Sequence, residues 1–231
     1  MNFTPITQFS DFCAGLRKAG FSVGGSNSEG IFTLCNYFAD SVEWHTGNPE
    51  TDPWEWRIRA LEECGDLAYG RLFFKKGGWI TREWYPYFLS ARRQGQGFEK
   101  LYRMGRIAAM ERDVYQFVKE RGRASMHEIK VSLGETKREQ AQTEAAITSL
   151  QMKMLITICG QTCRLSSEGQ PYGWPAAVFC TVEHLFDGVF EESCKIIPEH
   201  AAERIQRRVL ELNPCAQPKA IARFIASHIM I

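Results

Sequence analysis

The fold is decided by residues 106–166, which read RIAAMERDVYQFVKERGRASMHEIKVSLGETKREQAQTEAAITSLQMKMLITICGQTCRLS. Apolar residues recur at helical spacing up to about Arg121 and predict a first helix. Its apolar face holds Ile107, Met110, Val114, Phe117 and Val118. Ser125 with Glu128 is a capping box that begins a second helix, and Thr136 with Glu139 is a capping box that begins a third.

The second helix is expected to end at Gly134, and a β-hairpin is expected to follow the third. Residues 154–160, MLITICG, predict a strand, Gly160-Gln161 a tight turn, and residues 162–165, TCRL, the returning strand. Three helices followed by a hairpin is the order of a winged helix-turn-helix. The alternative is a generic helix pair with a hairpin. We therefore predict a winged-helix domain at residues 107–166.

The flanking sequence predicts further helices. Asp52-Pro53 begins a helix that ends at Gly65, Gly77-Gly78 is read as a turn, and Pro86 kinks or restarts a helix. We expect a mainly α fold with a small β component (α+β), whose sheet has no more than about four strands. The predicted domains are a mostly helical, aromatic-rich N-terminal domain (1–106), the winged helix (107–166) and a C-terminal helical segment (167–231). In the C-terminal segment, Pro and Gly residues after Ser166 predict a loop, a helix is expected to follow it as far as about Phe186, and two more helices are expected after that.

Composition and charge narrow the class of protein. Of 231 residues, 44% are hydrophobic and 24% charged, which is typical of a folded chain rather than a disordered one. The net charge is −6 over residues 1–70, +9 over 71–138 and −2 over 139–231, so the middle of the chain is suited to an anionic partner. The sequence lacks a signal peptide and a membrane span, which predicts a cytoplasmic protein with reduced cysteines and no membrane partner.

The winged helix supplies the predicted DNA contacts. The N-terminal half of its third helix and its hairpin would face bases and phosphates, with Arg and Lys for phosphate and Gln for adenine. The predicted nucleic-acid-binding residues are Lys137, Arg138, Gln140, Thr143, Gln161 and Arg164. The predicted partner is duplex DNA, and a protein partner is the alternative, because many winged helices dock protein.

An aromatic cluster supplies the predicted pocket. Its members are Trp44, His45, Trp54, Trp56, Trp79, Trp84, Tyr85 and Tyr87. Aromatic faces beside carboxylates and Arg can receive an unstacked nucleobase, although such residues more often fill a core. By elimination of helix caps, the predicted catalytic residues are Glu43, His45 and Glu83, beside Trp54 and Trp84. The alternative for Glu83 is an ion pair with an Arg.

Metal and cofactor motifs are weak. Cys159, Cys163, Cys180 and His184 have spacings that a zinc site can use. However, the first two would flank the predicted hairpin turn, and buried reduced Cys is common in proteins. We expect no metal site and no cofactor.

Two segments carry a resemblance to a known family. Residues 52–57, DPWEWR, and 73–88, FFKKGGWITREWYPYF, with the predicted winged helix behind them, resemble a bacterial AlkZ-related family over residues 40–165. That family is similar to winged-helix DNA glycosylases that act on alkylated or crosslinked DNA, and those enzymes use a Gln-hydrophobic-Gln motif. Here the only Gln-x-Gln is Gln94-Gly95-Gln96, whose middle residue is Gly, so the resemblance gives no catalytic role to either Gln.

These observations predict a DNA-associated winged-helix protein related to repair, with enzyme activity left open between a glycosylase-like reaction and none. One alternative is a non-catalytic protein-interaction or regulatory module. Another is a small-molecule enzyme that uses the Glu, Trp and Arg residues of the aromatic cluster.

Overall fold

The structure is a computed structural model that describes residues 3–134, 136–165, 168 and 170–226. The helices are α1 Phe9–Ala19, α2 Pro53–Cys64, α3 Tyr85–Arg93, α4 Phe98–Arg103, α5 Ala109–Arg121, α6 Met126–Leu133, α7 Lys137–Met152, α8 Val182–Leu185, α9 Val189–Cys194, α10 Pro198–Leu212 and α11 Pro218–Ala226, with a 3-10 helix at Leu34–Tyr37. The strands are β1 Phe21–Val23, β2 Leu67–Phe73, β3 Lys76–Thr81, β4 Ala124–Ser125, β5 Ile156–Leu165 and β6 Pro171–Thr181. The structure contains more helix than strand, and its strands form one antiparallel sheet, so the predicted α+β class is confirmed.

Within the described residues, the sheet has six strands in the order β1-β3-β2-β5-β6-β4. The expectation of about four strands at most is therefore wrong. Strands β1 and β4 are too short to show an alternating pattern, and β6 contains Pro171, Gly173 and Pro175, which were read as loop residues. The two halves of the sheet meet where Tyr69 of β2 pairs with Ile158 of β5.

The central part of the chain follows the predicted order of helices. Both capping boxes are present: the Ser125 Oγ accepts from the Glu128 amide at 3.2 Å, and the Thr136 Oγ1 accepts from the Glu139 amide at 3.3 Å. Helix α5 ends at Arg121 as expected. Strand β4, between α5 and α6, pairs with β6, and β6 pairs with β5.

Both predicted glycine turns are wrong. Strand β5 continues through Gly160-Gln161 as far as Leu165, and its register with β6 shifts between Ile158 and Gly160. The returning strand is β6, so the region read as a loop and then a helix is mostly strand. A glycine in a strand often marks such a bulge, and the residue type alone does not distinguish a bulge from a turn.

The turn between β2 and β3 is formed by Phe74 and Lys75, which have φ angles of 52° and 61°. Gly77 and Gly78 lie within β3. A Cβ on Gly78 would lie 2.5 Å from the Phe73 Cδ2. This position therefore needs glycine for close packing rather than for a turn.

The remaining predicted helices are present. Helix α2 begins at Pro53 after Asp52 and ends at Gly65, which has a left-handed φ of 66°. Helix α3 restarts the chain with Pro86 in its first turn. The C-terminal segment contains α10 and α11 as predicted, together with the unpredicted α9.

The predicted domain division stays a prediction. The sheet joins strands from both sides of residue 106, and the β5–β6 hairpin crosses residue 166. Among the described residues, no helix has both the length and the apolar character that crossing a bilayer requires.

A fully buried guanidinium connects three parts of the fold. Arg92, on α3, donates to the carbonyl oxygens of Leu72 (3.0 Å), Met152 (3.1 Å), Phe224 (2.9 Å) and Ile225 (2.9 Å). These carbonyls lie at the ends of β2, α7 and α11. Burial lowers the pKa of Arg92 to about 9, and the four acceptors compensate for the loss of water.

We expect Arg92→Met to lower the free energy of unfolding by about 3–5 kcal/mol, because four buried carbonyls lose a charged donor. Arg103→Met is the control, since Arg103 is exposed, and its effect should stay within about 0.5 kcal/mol. Urea denaturation followed by circular dichroism measures both. Equal stability of the two variants would show that the carbonyls do not depend on Arg92.

Candidate nucleic-acid interface

The site is built on Asp52, whose carboxylate organises the loop before α2. Its side chain is buried and accepts from the backbone amides of Trp54 (2.8 Å), Gly47 (2.9 Å) and His45 (3.0 Å). Burial by itself would raise the pKa of Asp52, but these hydrogen bonds outweigh it and lower the pKa. Asp52 therefore holds residues 45–47 against the start of the helix, with His45 at a left-handed φ of 64°.

Trp54 and Arg57 form a stacked pair in the first turns of α2. The Arg57 Cζ lies 3.2 Å from the centre of the Trp54 ring, and its Nε donates to the Trp54 carbonyl at 2.7 Å. The His45 ring lies 4.8 Å from the Trp54 ring. The stack presents a cation and two aromatic rings on one surface, a combination that binds bases and phosphates.

An aromatic cavity of about 460 Å³ opens beside this stack. Its lining residues come from the loop before α2, from α2 and from the β5–β6 hairpin, and they are His45, Thr46, Gly47, Asp52, Trp54, Glu55, Arg57, Gln161, Trp174 and Pro175. Trp174 is 84% exposed. The structure thus brings together His45 and Gln161, which the sequence had assigned to separate sites.

A second cavity, of about 540 Å³, adjoins the first through Trp54 and Arg57. Its floor is the open face of the sheet, formed by Tyr69, Ile158, Ala177 and Phe179. Helix α2 forms one wall and helix α7 the other, and the β2–β3 hairpin contributes Arg71, Lys75 and Lys76.

A third cavity, of about 420 Å³, shares Arg71, Lys75, Glu144 and Thr148 with the second. The exposed face of α7 lines it with small residues, including Ala141 and Ala145. Since each cavity shares residues with the next, the three form one continuous depression, which we call the basic groove.

The basic groove contains two cations that lack an ion-pair partner among the described residues, although Glu144, Glu55 and Asp52 also line it. Within the described part of the chain, the side chains of Arg71 and Lys75 are exposed and form no ion pair. Glu144, the acidic residue on the α7 wall, is neutralised by an ion pair with Lys130. The groove therefore offers unpaired positive charge next to an aromatic end, which favours a polyanion.

The predicted DNA-contact residues fall into different environments. Lys137 and Arg138 are exposed at the start of α7. Gln140 donates to the Gly134 carbonyl at 3.4 Å and so closes the turn between α6 and α7. Thr143 is fully buried, with its hydroxyl 3.7 Å from the Met110 Sδ, so its predicted contact with DNA is corrected.

Gln161 is exposed and lines the aromatic cavity. Arg164 lies on β5, where its backbone pairs with Tyr172. Its side chain lies outside the described part of the structure.

The predicted catalytic residues are not brought together. His45 lines the aromatic cavity, while Glu43 is exposed beside it and is absent from the lining. The side chain of Glu83 is 71% exposed and lies 3.9 Å from Arg204 of α10. A carboxylate so exposed is not desolvated by aromatic walls, so that expectation for Glu83 is corrected, and a surface ion pair at this distance contributes little.

Half of the predicted aromatic cluster is core. Trp56, Trp79, Trp84 and Tyr85 are buried in the main hydrophobic core. These four residues fill the core, which was the alternative to a pocket. Trp44, 40% exposed, is at the surface.

Sequence reasoning missed three residues of the groove. Arg71 and Lys75 lie in the stretch of net charge +9, which was the available signal, but nothing in the sequence placed them opposite α7. Trp174 was missed because its segment was read as a loop. Separately, the Gln94-Gly95-Gln96 segment follows the C-terminus of α3 outside the groove lining. Among the residues that the structure describes, no group of three or more His, Cys, Asp or Glu is placed to hold a metal.

The family model described as AlkZ related matches residues 6–226. The chain therefore belongs to the AlkZ-related family, as the resemblance predicted, and the match extends well beyond residues 40–165. Membership associates the protein with DNA repair at the level of the family. No curated protein and no solved structure matches the chain.

We expect Asp52→Ala to lower the free energy of unfolding by about 1–3 kcal/mol, because α2 loses its cap and the amides of residues 45–47 lose their acceptor. The folded pKa of Asp52 is lowered, so its stabilisation is present above the ordinary Asp pKa and is lost as pH falls through the folded value. The stability gap between wild type and Asp52→Ala should therefore narrow between about pH 5 and about pH 2.

Chemical denaturation across that pH range measures the gap. Asp40→Ala is the control, because Asp40 is exposed, and it should change stability little at any pH. A gap for Asp52→Ala that does not depend on pH would contradict a role for the ionised carboxylate.

Proposed function

We propose that this protein binds duplex DNA in the basic groove, with α5 to β6 acting as a winged helix and α7 as its recognition helix. The observation that carries the proposal is the groove itself, where the unpaired cations Arg71 and Lys75 lie opposite the exposed face of α7. Membership of the AlkZ-related family supports DNA as the polyanion.

The arrangement of elements supports the winged-helix interpretation. Helix α5 leads to the short strand β4, then to α6 and α7, and β5 and β6 form the hairpin. Helix α6 and helix α7 are joined by the short Gly134 turn, as the two helices of a helix-turn-helix are. The exposed residues at the start of α7, Lys137 and Arg138, are suited to phosphates at the rim of a DNA groove.

The size of the groove residues on α7 also suits DNA. Ala141 and Ala145 are exposed, lie four residues apart on one face and line the groove. Small side chains let a duplex approach the helix closely, while Arg71 and Lys75 on the β2–β3 hairpin meet its phosphates.

We further propose that the aromatic cavity receives an unpaired nucleobase. Trp174 offers an exposed ring for stacking, and Gln161 and His45 offer hydrogen-bonding groups to the edge of a base. His45 is thus the predicted catalytic residue that keeps a proposed role, whereas Glu43 and Glu83 lie outside the cavity lining. All eight cysteines are free thiols, which fits the reducing cytoplasm that we propose as the location.

Binding of a fluorescent 20-base-pair duplex, measured by anisotropy at several salt concentrations, tests the main proposal. Wild type should bind at low salt and lose affinity steeply as salt rises, because phosphate contacts release counterions. Arg71→Ala with Lys75→Ala should weaken binding about tenfold and reduce the salt slope by about two. Lys137→Ala with Arg138→Ala should cost on the order of 1 kcal/mol or more.

Lys195→Ala with Lys219→Ala is the matched control. It removes the same charge from exposed positions on the C-terminal elements, so it isolates the groove from net charge. If this control loses as much affinity as Arg71→Ala with Lys75→Ala, the groove is ruled out as the DNA-binding site. Absence of any retention on duplex DNA at low salt would overturn DNA binding and favour a protein-docking module.

The base-binding proposal predicts a preference for DNA with one bulged base over the fully paired duplex. Trp174→Ala should abolish most of that preference, roughly a 5- to 150-fold effect, because stacking contributes about 1–3 kcal/mol per base. Trp44→Ala, which removes an exposed Trp outside the cavity lining, should keep it. The ratio of the two dissociation constants is the measurement, and an equal loss in both variants would count against the cavity.

A further inference from the structure

Two cysteines lie side by side on the neighbouring strands β5 and β6. Cys159 occupies the point where the register shifts between Ile158 and Gly160, and Cys180 lies opposite Thr157. The Cys159 thiol donates to the carbonyl of Val178, two residues before Cys180 on β6, at 3.6 Å, and each thiol shifts the pKa of the other. Cys159 is half-buried and Cys180 is fully buried, so reagents from solvent meet Cys159 first.

An arginine distinguishes this pair of thiols. The Arg123 Nη2 donates to the Cys159 carbonyl at 3.0 Å, which places its guanidinium close to the Cys159 side chain. The neighbouring Cys180 thiol and the charge of Arg123 lower the pKa of Cys159, although burial opposes them. The neighbouring Cys159 and then burial raise the pKa of Cys180.

The chain contains a second close pair that lacks this arrangement. The sulfur atoms of Cys13 and Cys64 lie 3.2 Å apart. Burial, followed by the bond to Cys64, raises the pKa of Cys13. Cys64 is also partly exposed and Arg17 lies near this pair, but Arg17 is held by an ion pair with Asp66. Arg123, by contrast, forms no ion pair in the described part of the chain, so its charge acts on Cys159 without a competing carboxylate, and such surroundings favour the thiolate.

We propose that Cys159 is an oxidation site for hydroperoxides and that Cys180 is its resolving thiol. The Cys159 thiolate attacks one oxygen of hydrogen peroxide, the O–O bond breaks, and Cys159 becomes a sulfenic acid while hydroxide leaves. The Cys180 thiol then attacks the sulfenic sulfur, forming the S–S bond and releasing water. In total, two thiols are oxidised and one peroxide is reduced to two waters.

This modification does not depend on DNA binding. It would cross-link β5 to β6 directly beside Ile158 and Phe179, which form part of the groove floor. A thiol reductant would reverse it.

The test treats the reduced full-length protein at pH 7 with a small excess of hydrogen peroxide and maps disulfides by mass spectrometry without reduction. The Cys159–Cys180 linkage should form first and ahead of Cys13–Cys64. In Cys180→Ser, dimedone should instead trap the sulfenic acid at Cys159. Should Cys180→Ser fail to fold, mapping of the wild type still decides the pairing.

Arg123→Gln supplies a second measurement on a surface position. Its rate of Cys159 oxidation at pH 7 should fall at least about fivefold, with the pH profile moved upward, because less thiolate is present. Arg121→Gln is the matched control, since Arg121 carries the same charge two residues earlier and faces Glu128. First oxidation at Cys13 or Cys64, no Cys159–Cys180 linkage, or equal rates in the two Arg variants would overturn the proposal.

Discussion

The fold depends on how the guanidinium of Arg92 is buried. A charge without water must be surrounded by acceptors, and here all four are backbone carbonyls at the ends of elements that are far apart in the chain. Leu72 lies next to the last residue of β2, close to the β2–β3 turn, and Met152 is the last residue of α7. Because Arg92 binds both, it fixes the distance between the hairpin and the helix that form opposite sides of the basic groove. A core interaction thereby sets the width of a surface site.

A second arrangement, centred on a carboxylate, positions the residues at the other end of the groove. Asp52 gathers the amides of the preceding loop and the first amide of α2. The next turns of α2 then alternate in direction: Trp56 enters the core, whereas Trp54 and Arg57 face the groove. One short helix therefore supplies both core packing and the binding surface, which explains why a dense run of tryptophans has two separate roles.

Features with local causes were predictable from the sequence. The capping boxes at Ser125 and Thr136, the Asp52-Pro53 start and the Pro86 restart all depend on hydrogen bonds within a few residues, and each is present. Strand β6 and the role of Gly160 were not predictable, because a strand that contains Pro and Gly is specified by its partners rather than by its own pattern. The candidate site was predicted only in part for the same reason. His45 and Gln161 were each chosen, but their meeting depends on long-range pairing, and Thr143 was placed on the wrong face of α7.

The seam between the two halves of the sheet has a consequence for motion. In the described part of the chain, β2 and β5 share the single registered pair Tyr69 and Ile158, supported by the Thr157 hydroxyl, which donates to the Tyr69 carbonyl at 3.3 Å. Separating these strands would break far fewer backbone hydrogen bonds than separating β5 from β6. Local opening along such a seam costs only a fraction of global unfolding. The groove floor thus contains the pair of strands, β2 and β5, that separates most readily, so the sheet can open there without global unfolding.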